Sequence, residues 1–147
     1  MFKRILVPLD GSNLSERALP VAVSLAKAAQ GQIHLLRSTL GMWLAIPPEP
    51  MYAGPYGVYE WLPGQEALEE IESEARDYLV SFSHLYRIPG VSWENYVVGS
   101  DPAGAIIAHA AQKEIDLIAM SSHGRSGLER WALGSVTERV LHRAPCP

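Results

Sequence analysis

Ile5-Leu6-Val7-Pro8-Leu9-Asp10-Gly11-Ser12 is an apolar run of strand length that breaks at a turn and delivers a hydroxyl able to cap a helix. Ser12 or Asn13 can start a helix running to about Gln30, where Gly31 stops it. Leu14, Ala18, Ala22, Leu25 and Ala29 recur at helical spacing and are expected to face a sheet, with Pro20 bending the helix. The same alternation continues along the chain. Residues 32–38 read as a second strand, and Glu66 to Arg87 as a long amphipathic helix with Leu68, Ile71, Ala75, Tyr78, Leu79 and Phe82 inward. Val91 to Val98 reads as a third strand, and Asp101-Pro102 opens a helix with proline at its first position. A strand at 116–120, a loop and a last helix complete the pattern. Strands alternating with helices predict an α/β protein: one open, mostly parallel, twisted sheet with helices on both faces. Such sheets bind ligands beyond the carboxyl ends of their strands, where the strand order reverses. Asp10, Ser38, Gly99 and Ser121 all fall at predicted strand ends, a convergence that favours a nucleotide-type ligand.

Ser121-Ser122-His123-Gly124 is followed by Gly134-Ser135-Val136-Thr137, so the fourth strand leads through a loop into the first turn of a helix. Ser135 and Glu138 match the Ser-x-x-Glu capping pattern. Free N–H groups and the helix dipole attract an anion there, and glycine at 124 and 134 lets the backbone approach it closely. The local pattern alone leaves this phosphate reading even with a plain surface cap and turn.

The totals narrow the class. A chain of 147 residues with 48% hydrophobic and 19% charged residues is one domain with a real core. Its apolar runs fall far short of a membrane span, so no membrane partner is expected. The N-terminus goes straight into a strand without the pattern of a signal peptide, and Cys146 is the sole cysteine, so a cytoplasmic location is expected. The net charge is −4. Residues 121–147 carry four arginines (125, 130, 139, 143) against Glu129 and Glu138, a balance of +2 that leaves −6 for the rest. A basic patch on an acidic protein suits a small polyanion and not a nucleic acid. Arg139 and Arg143, one turn apart, also fit a solvated helix face.

Residues 41–65 differ in character, with five prolines, four glycines, and Trp43, Tyr52, Tyr56, Tyr59 and Trp61. The expectation is a Pro/aromatic-rich insertion loop serving as a lid or subunit contact.

Three ordered motifs resemble the universal stress protein family over nearly the whole chain. They are the strand ending Val7-Pro8-Leu9-Asp10-Gly11-Ser12, the segment Gly99-Ser100-Asp101-Pro102-Ala103, and the signature Ser121-x2-Gly124-x9-Gly134-Ser135. The trailing Ala144-Pro145-Cys146-Pro147 is also typical of the family. The resemblance implies a Rossmann-like fold of the adenine-nucleotide α-hydrolase type that binds ATP. Pro8 and Asp10 would then meet the adenosine, and the backbone of Ser38 would read the adenine edge. The loop Ser121, Ser122, His123, Gly124, Arg125, Ser126 and Gly127 would wrap ribose and phosphates. Gly134, Ser135, Val136 and Thr137 would hold the phosphate tail, with Mg²⁺ carried by phosphate oxygens and water. Ser121 stands where the signature has its first glycine. The family continues past the position of Pro147 into an apolar fifth strand that often forms the dimer contact; residues 1–147 hold four predicted strands, which leaves that contact open.

The resemblance therefore implies an ATP-binding stress-response regulator that acts through a homodimer, a higher oligomer or another protein partner. The alternatives are an interaction module that binds no nucleotide, and a slow ATP hydrolase. No catalytic residue is expected: GxxxxGK[ST] is absent, the loop has no lysine, and His123 suits packing better than catalysis. A phosphorylated receiver is excluded because the third strand ends in Gly99-Ser100 without an acceptor aspartate. A flavodoxin-like carrier is disfavoured by Asp10, a carboxylate where its phosphate loop would lie. His34, His84, His109 and His142 show no metal-ligand spacing.

Overall fold

The computed structural model describes residues 2–46, 64–122 and 134–147. Their strands are β1 (Arg4–Pro8), β2 (Gln32–Ser38), β3 (Ser92–Val98) and β4 (Leu117–Ile118). Their helices are α1 (Asn13–Glu16), α2 (Leu19–Ala29), α3 (Leu40–Trp43), α4 (Gln65–Leu85), α5 (Pro102–Gln112) and α6 (Ser135–Arg143). Among the described residues the sheet has the order β3-β2-β1-β4, and every pairing is parallel. The chain moves from β1 outward to β2 and β3, then returns to the other side of β1 for β4. The order therefore reverses between β1 and β4, which fixes where a crevice opens.

Both faces are covered, so β1 is apolar on both sides, while β2 buries His34 and Arg37 among its apolar residues. Ile5, Val7, Ile33 and Leu35 pack with Leu19, Ala22, Val23 and Ala26 of α2 and Leu79 of α4. Leu6 and Leu36 face the other way, against Ala103, Ile106 and Ala110 of α5 and Val140 of α6.

Three local readings of the sequence need correction. The first helix is broken, not bent: α1 ends at Glu16 and α2 begins at Leu19, which places Pro20 in a first turn, where no N–H is required of it. The restart shifts the helical phase, so Leu19, Val23 and Ala26 are buried while Leu25 is 37% exposed. β4 is only two residues long, although Asp116 N and Ala119 N still donate to Arg4 O and Leu6 O on either side of it. In the segment 41–65, Gly41 to Trp43 belong to α3 and Gln65 starts α4. Residues 47–63, with Tyr52, Tyr56, Tyr59 and Trp61, lie outside the described residues.

Between the sheet and α5 runs a polar chain. Gln32 Nε2 donates to Glu94 Oε1 at 2.7 Å, so Gln32 Oε1 is the partner of His34 Nε2 at 3.1 Å. His34 Nε2 therefore carries the proton, which leaves Nδ1 to accept from His109 Nε2 at 3.2 Å. Tyr96 closes the chain by donating to Glu94 Oε2. Burial holds both histidines below the usual imidazole range, His109 down to about 4, with the His34 charge and then that of Lys113 adding to the effect there.

Candidate functional site

At the carboxyl ends of the strands, beside the β1/β4 reversal, lies a cleft of about 330 Å³. Its walls come from the ends of β1 and β2 with Ser15 of α1 and Gly41 and Met42 of α3, the start of α5 with Met120 and Ser121 after β4, and the first turn of α6. Pro8, Asp10, Ser38, Ser121, Gly134, Ser135, Val136 and Thr137, all singled out in the sequence, line it together. Ser122 stands behind, its carbonyl accepting from Gly134 N at 3.0 Å, which ties the loop's entry to its exit. His123, Gly124, Arg125, Ser126 and Gly127 lie outside the described residues.

The turn after β1 is held by its own polar groups. Gly11 takes a φ of 84°, a left-handed conformation that suits glycine. This lets Asp10 Oδ1 accept from both Ser12 N, at 2.9 Å, and Ser12 Oγ, at 2.6 Å. Ser12 in turn caps α1 by accepting from Ser15 N. Asp10 is thus fixed in orientation by the cap beneath it. Ser38 is fixed likewise, its hydroxyl donating to Ser100 O at 2.6 Å and accepting from Leu40 N at 3.3 Å. With that hydroxyl engaged, Ser38 offers a ligand its backbone.

The start of α6 differs from the expected capping box. Gly134, not Ser135, occupies the N-cap, and it brings no side-chain cap of its own. Ser135 sits at the first helical position, and Glu138 is one residue too far along to reach back. The first intrahelical bond runs from Glu138 N to Gly134 O, so the N–H groups of Ser135, Val136 and Thr137 precede it at the positive end of the helix. Thr137 Oγ1 donates to Ser121 O at 3.2 Å, joining the helix to the end of β4. Three successive backbone donors at a helix start whose N-cap is a glycine, facing a cleft, make an arrangement suited to an anion such as phosphate.

Arg139 was a candidate for the basic patch or a solvated face. It lies on the exposed face of α6, with Arg143 also exposed, and forms a two-pronged pair with Asp101, both contacts at 2.8 Å. Asp101 also caps α5 by accepting from Gly104 N. The Arg139 guanidinium, and then that N–H, hold the Asp101 carboxyl below its usual range.

The sequence reading passed over several lining residues, among them Ser15, Gly41, Met42 and Arg37. Arg37 is 5% exposed, its Nη2 lies 3.5 Å from Met42 Sδ, and its guanidinium carbon is 4.4 Å from the centre of the Tyr78 ring. Tyr78 donates to Glu16 at 2.9 Å; burial, and then that carboxylate, push its phenol far above the usual range. Among the described residues Arg37 forms no ion pair with a carboxylate. A cation one residue before the end of β2, next to Leu35-Leu36, was the signal available in the sequence.

Comparison with known proteins agrees with this architecture. The family model described as the universal stress protein family matches residues 1–147. A universal stress protein of Methanocaldococcus jannaschii is 32% identical, covering 100% of this chain and 80% of that protein. One of Bacillus subtilis is 31% identical, covering 100% and 97%. Among solved structures, the universal stress protein UspA from Lactobacillus plantarum superposes with a TM-score of 0.69 at 25% identity, covering 99% and 94%. An Arabidopsis thaliana protein of the family with AMP bound superposes at 0.56 with 18% identity, covering 99% and 88%. A universal stress protein in complex with cAMP gives 0.59 at 22% identity, covering 99% and 92%. Among the described residues, no helix is long and apolar enough to cross a membrane.

Proposed function

The chain belongs to the universal stress protein family, and on that premise we propose that it binds ATP in the cleft between β1, β2 and the start of α6 and acts as a nucleotide-dependent stress regulator. The observation that carries this reading is the meeting, at the sheet's reversal point, of Asp10, Ser38 and the first turn of α6 around one cleft. Structural relatives with AMP and with cAMP bound support an adenine nucleotide as the ligand class. In this reading Asp10 accepts from the ribose hydroxyls and the Ser38 backbone meets the base. The N–H groups of Ser135, Val136 and Thr137 hold the phosphates, and His123 to Gly127 complete the wrap. Mg²⁺ is held through phosphate oxygens and water. The protein signals through its own oligomer or a partner protein in a cytoplasmic setting, and it does not turn over substrate as an efficient enzyme.

Calorimetric titration with ATP–Mg²⁺, after release and identification of any nucleotide carried through purification, tests the reading. Gly134→Asp is the informative variant. The N-cap backbone, at φ −60° and ψ 145°, is open to any residue, and aspartate is a favoured N-cap. The variant keeps the helix and places a carboxylate against the phosphates, so ATP should bind about tenfold more weakly or worse. A folded wild type that takes up no nucleotide would end the proposal.

A further inference from the structure

We propose that Trp43 and Gly99 form a positioning pair that holds α3 in place as the base-end wall of the nucleotide cleft. Neither residue lines the cleft; together they set its shape from outside. This rests on the nucleotide reading above and deepens it at the end of the cleft remote from the phosphates.

The start of α6 forms the phosphate end. The opposite end is built from the close of β2 and from α3, which brings Gly41 and Met42 to the wall. α3 is four residues long, a single turn with little stability of its own, so its place is set by what it touches. At its start, the corner after β2 is bonded to the neighbouring strand end. Thr39 N donates to Val98 O at 2.8 Å, and Ser38 Oγ donates to Ser100 O at 2.6 Å. At its end, Trp43 places its six-membered ring against Gly99, the residue between those two acceptors. Packing and not a hydrogen bond holds the indole there, since Trp43 Nε1 is buried without a partner.

Glycine is needed at position 99 for space and not for backbone conformation. Among the described glycines only Gly11 and Gly90 take a positive φ. A Cβ on residue 99 would instead run into Cη2 of the indole and lie 2.6 Å from Cζ2 and 2.8 Å from Cζ3, closer than such atoms approach. The obstacle is a rigid ring, so a methyl there displaces the ring and the turn that carries it. Gly41 is the reverse case: a Cβ there would meet nothing within 4 Å, so the cleft side of α3 stands open where the base is to lie. α3 thus has one tight side, which locates it, and one open side, which receives the ligand. A wall located in advance spares the ligand the cost of ordering it.

The test is calorimetry with ATP–Mg²⁺ on wild type, Gly99→Ala, Trp43→Leu and the double variant, with the melting temperature of each unliganded protein as the check on folding. Gly99→Ala should raise Kd about tenfold. Trp43→Leu removes the anchor and should raise Kd about threefold or more; it carries the test if Gly99→Ala fails to fold. In the Trp43→Leu background, Gly99→Ala should change Kd little, because the ring it collides with is gone. A pair that only stabilises the fold would lower the melting temperatures and leave Kd unmoved. That result, or an equal effect of Gly99→Ala in both backgrounds, overturns the role of the pair and leaves ATP binding standing. A folded wild type that binds no ATP overturns both proposals.

Discussion

His34 and His109 meet through one hydrogen bond shielded from solvent: they are 2% and 8% exposed. The groups that face them are Gln32 and Arg4 from the sheet's amino edge, Glu94 and Tyr96 on β3, and Lys113 just past α5. Both imidazoles are neutral in the fold and titrate below their unfolded value of 6.5, His109 at about 4. A histidine with a depressed folded pKa takes up a proton on unfolding. Its contribution is therefore complete above the unfolded value and disappears as pH falls from 6.5 toward 4. For His109 the gap corresponds to a loss on the order of 3 kcal/mol across that window. Chemical denaturation at pH 7 and pH 4.5 should show this drop, and His109→Gln, whose amide can still donate to His34 Nδ1, should flatten it. Equal slopes in both proteins would mean that the histidine pair does not govern acid sensitivity.

At the scale of elements, α5 and α6 are coupled through Asp101, which serves as N-cap to one helix and ion-pair partner to the other. Asp101→Ala should cost about 1–2 kcal/mol, chiefly through the lost cap. Arg139→Ala should cost clearly less, because half-exposed pairs contribute little. Thermal unfolding of the two variants orders these effects, and a larger loss for Arg139→Ala would contradict the assignment. The elements themselves were legible where the pattern was clear: β2 at 32–38, the amphipathic helix opening near Glu66, and the helix that Asp101-Pro102 opens lie where the sequence puts them. Proline and glycine hid the rest. Pro20 signals a disturbance, but the sequence does not say whether a helix bends through it or restarts ahead of it. Gly134 hid its capping role behind a better capping side chain at Ser135, because its extended backbone is one that any residue can adopt and leaves no mark in the sequence. Half of the cleft could be read because strand ends carry recognisable turn residues. Arg37 could not, because its meaning depends on Tyr78 and Met42 lying against it, and Tyr78 is forty-one positions away in the chain.

For the molecule as a whole, ligand binding and stability are one quantity read in two ways. The cleft joins the ends of β1 and β2 to α6, so a ligand there ties both sides of the reversal point together. ATP–Mg²⁺ at a hundred times its dissociation constant should add about 2.7 kcal/mol and raise the melting temperature by roughly 5–10 °C. Gly134→Asp, bound about tenfold more weakly, should gain about half that shift or less from the same nucleotide. An equal upward shift in both proteins would place the ligand elsewhere.

The central position of β1 also sets an order of events at the chain's birth. Its partner on one side, β2, follows within thirty residues, but Asp116, which accepts from Arg4 N, lies 112 residues downstream. At about 5–20 residues per second, the ribosome needs roughly 6–20 s to supply it. Through that interval β1 has β2 on one edge and nothing to complete the other, so the nascent chain presents an open apolar border that holdase chaperones recognise. The nucleotide cleft cannot form until Gly134 to Thr137 have emerged. If the cleft holds ATP as proposed, nucleotide uptake waits on the last helix: ribosome-bound chains halted before β4 should be held by chaperones and should carry no nucleotide.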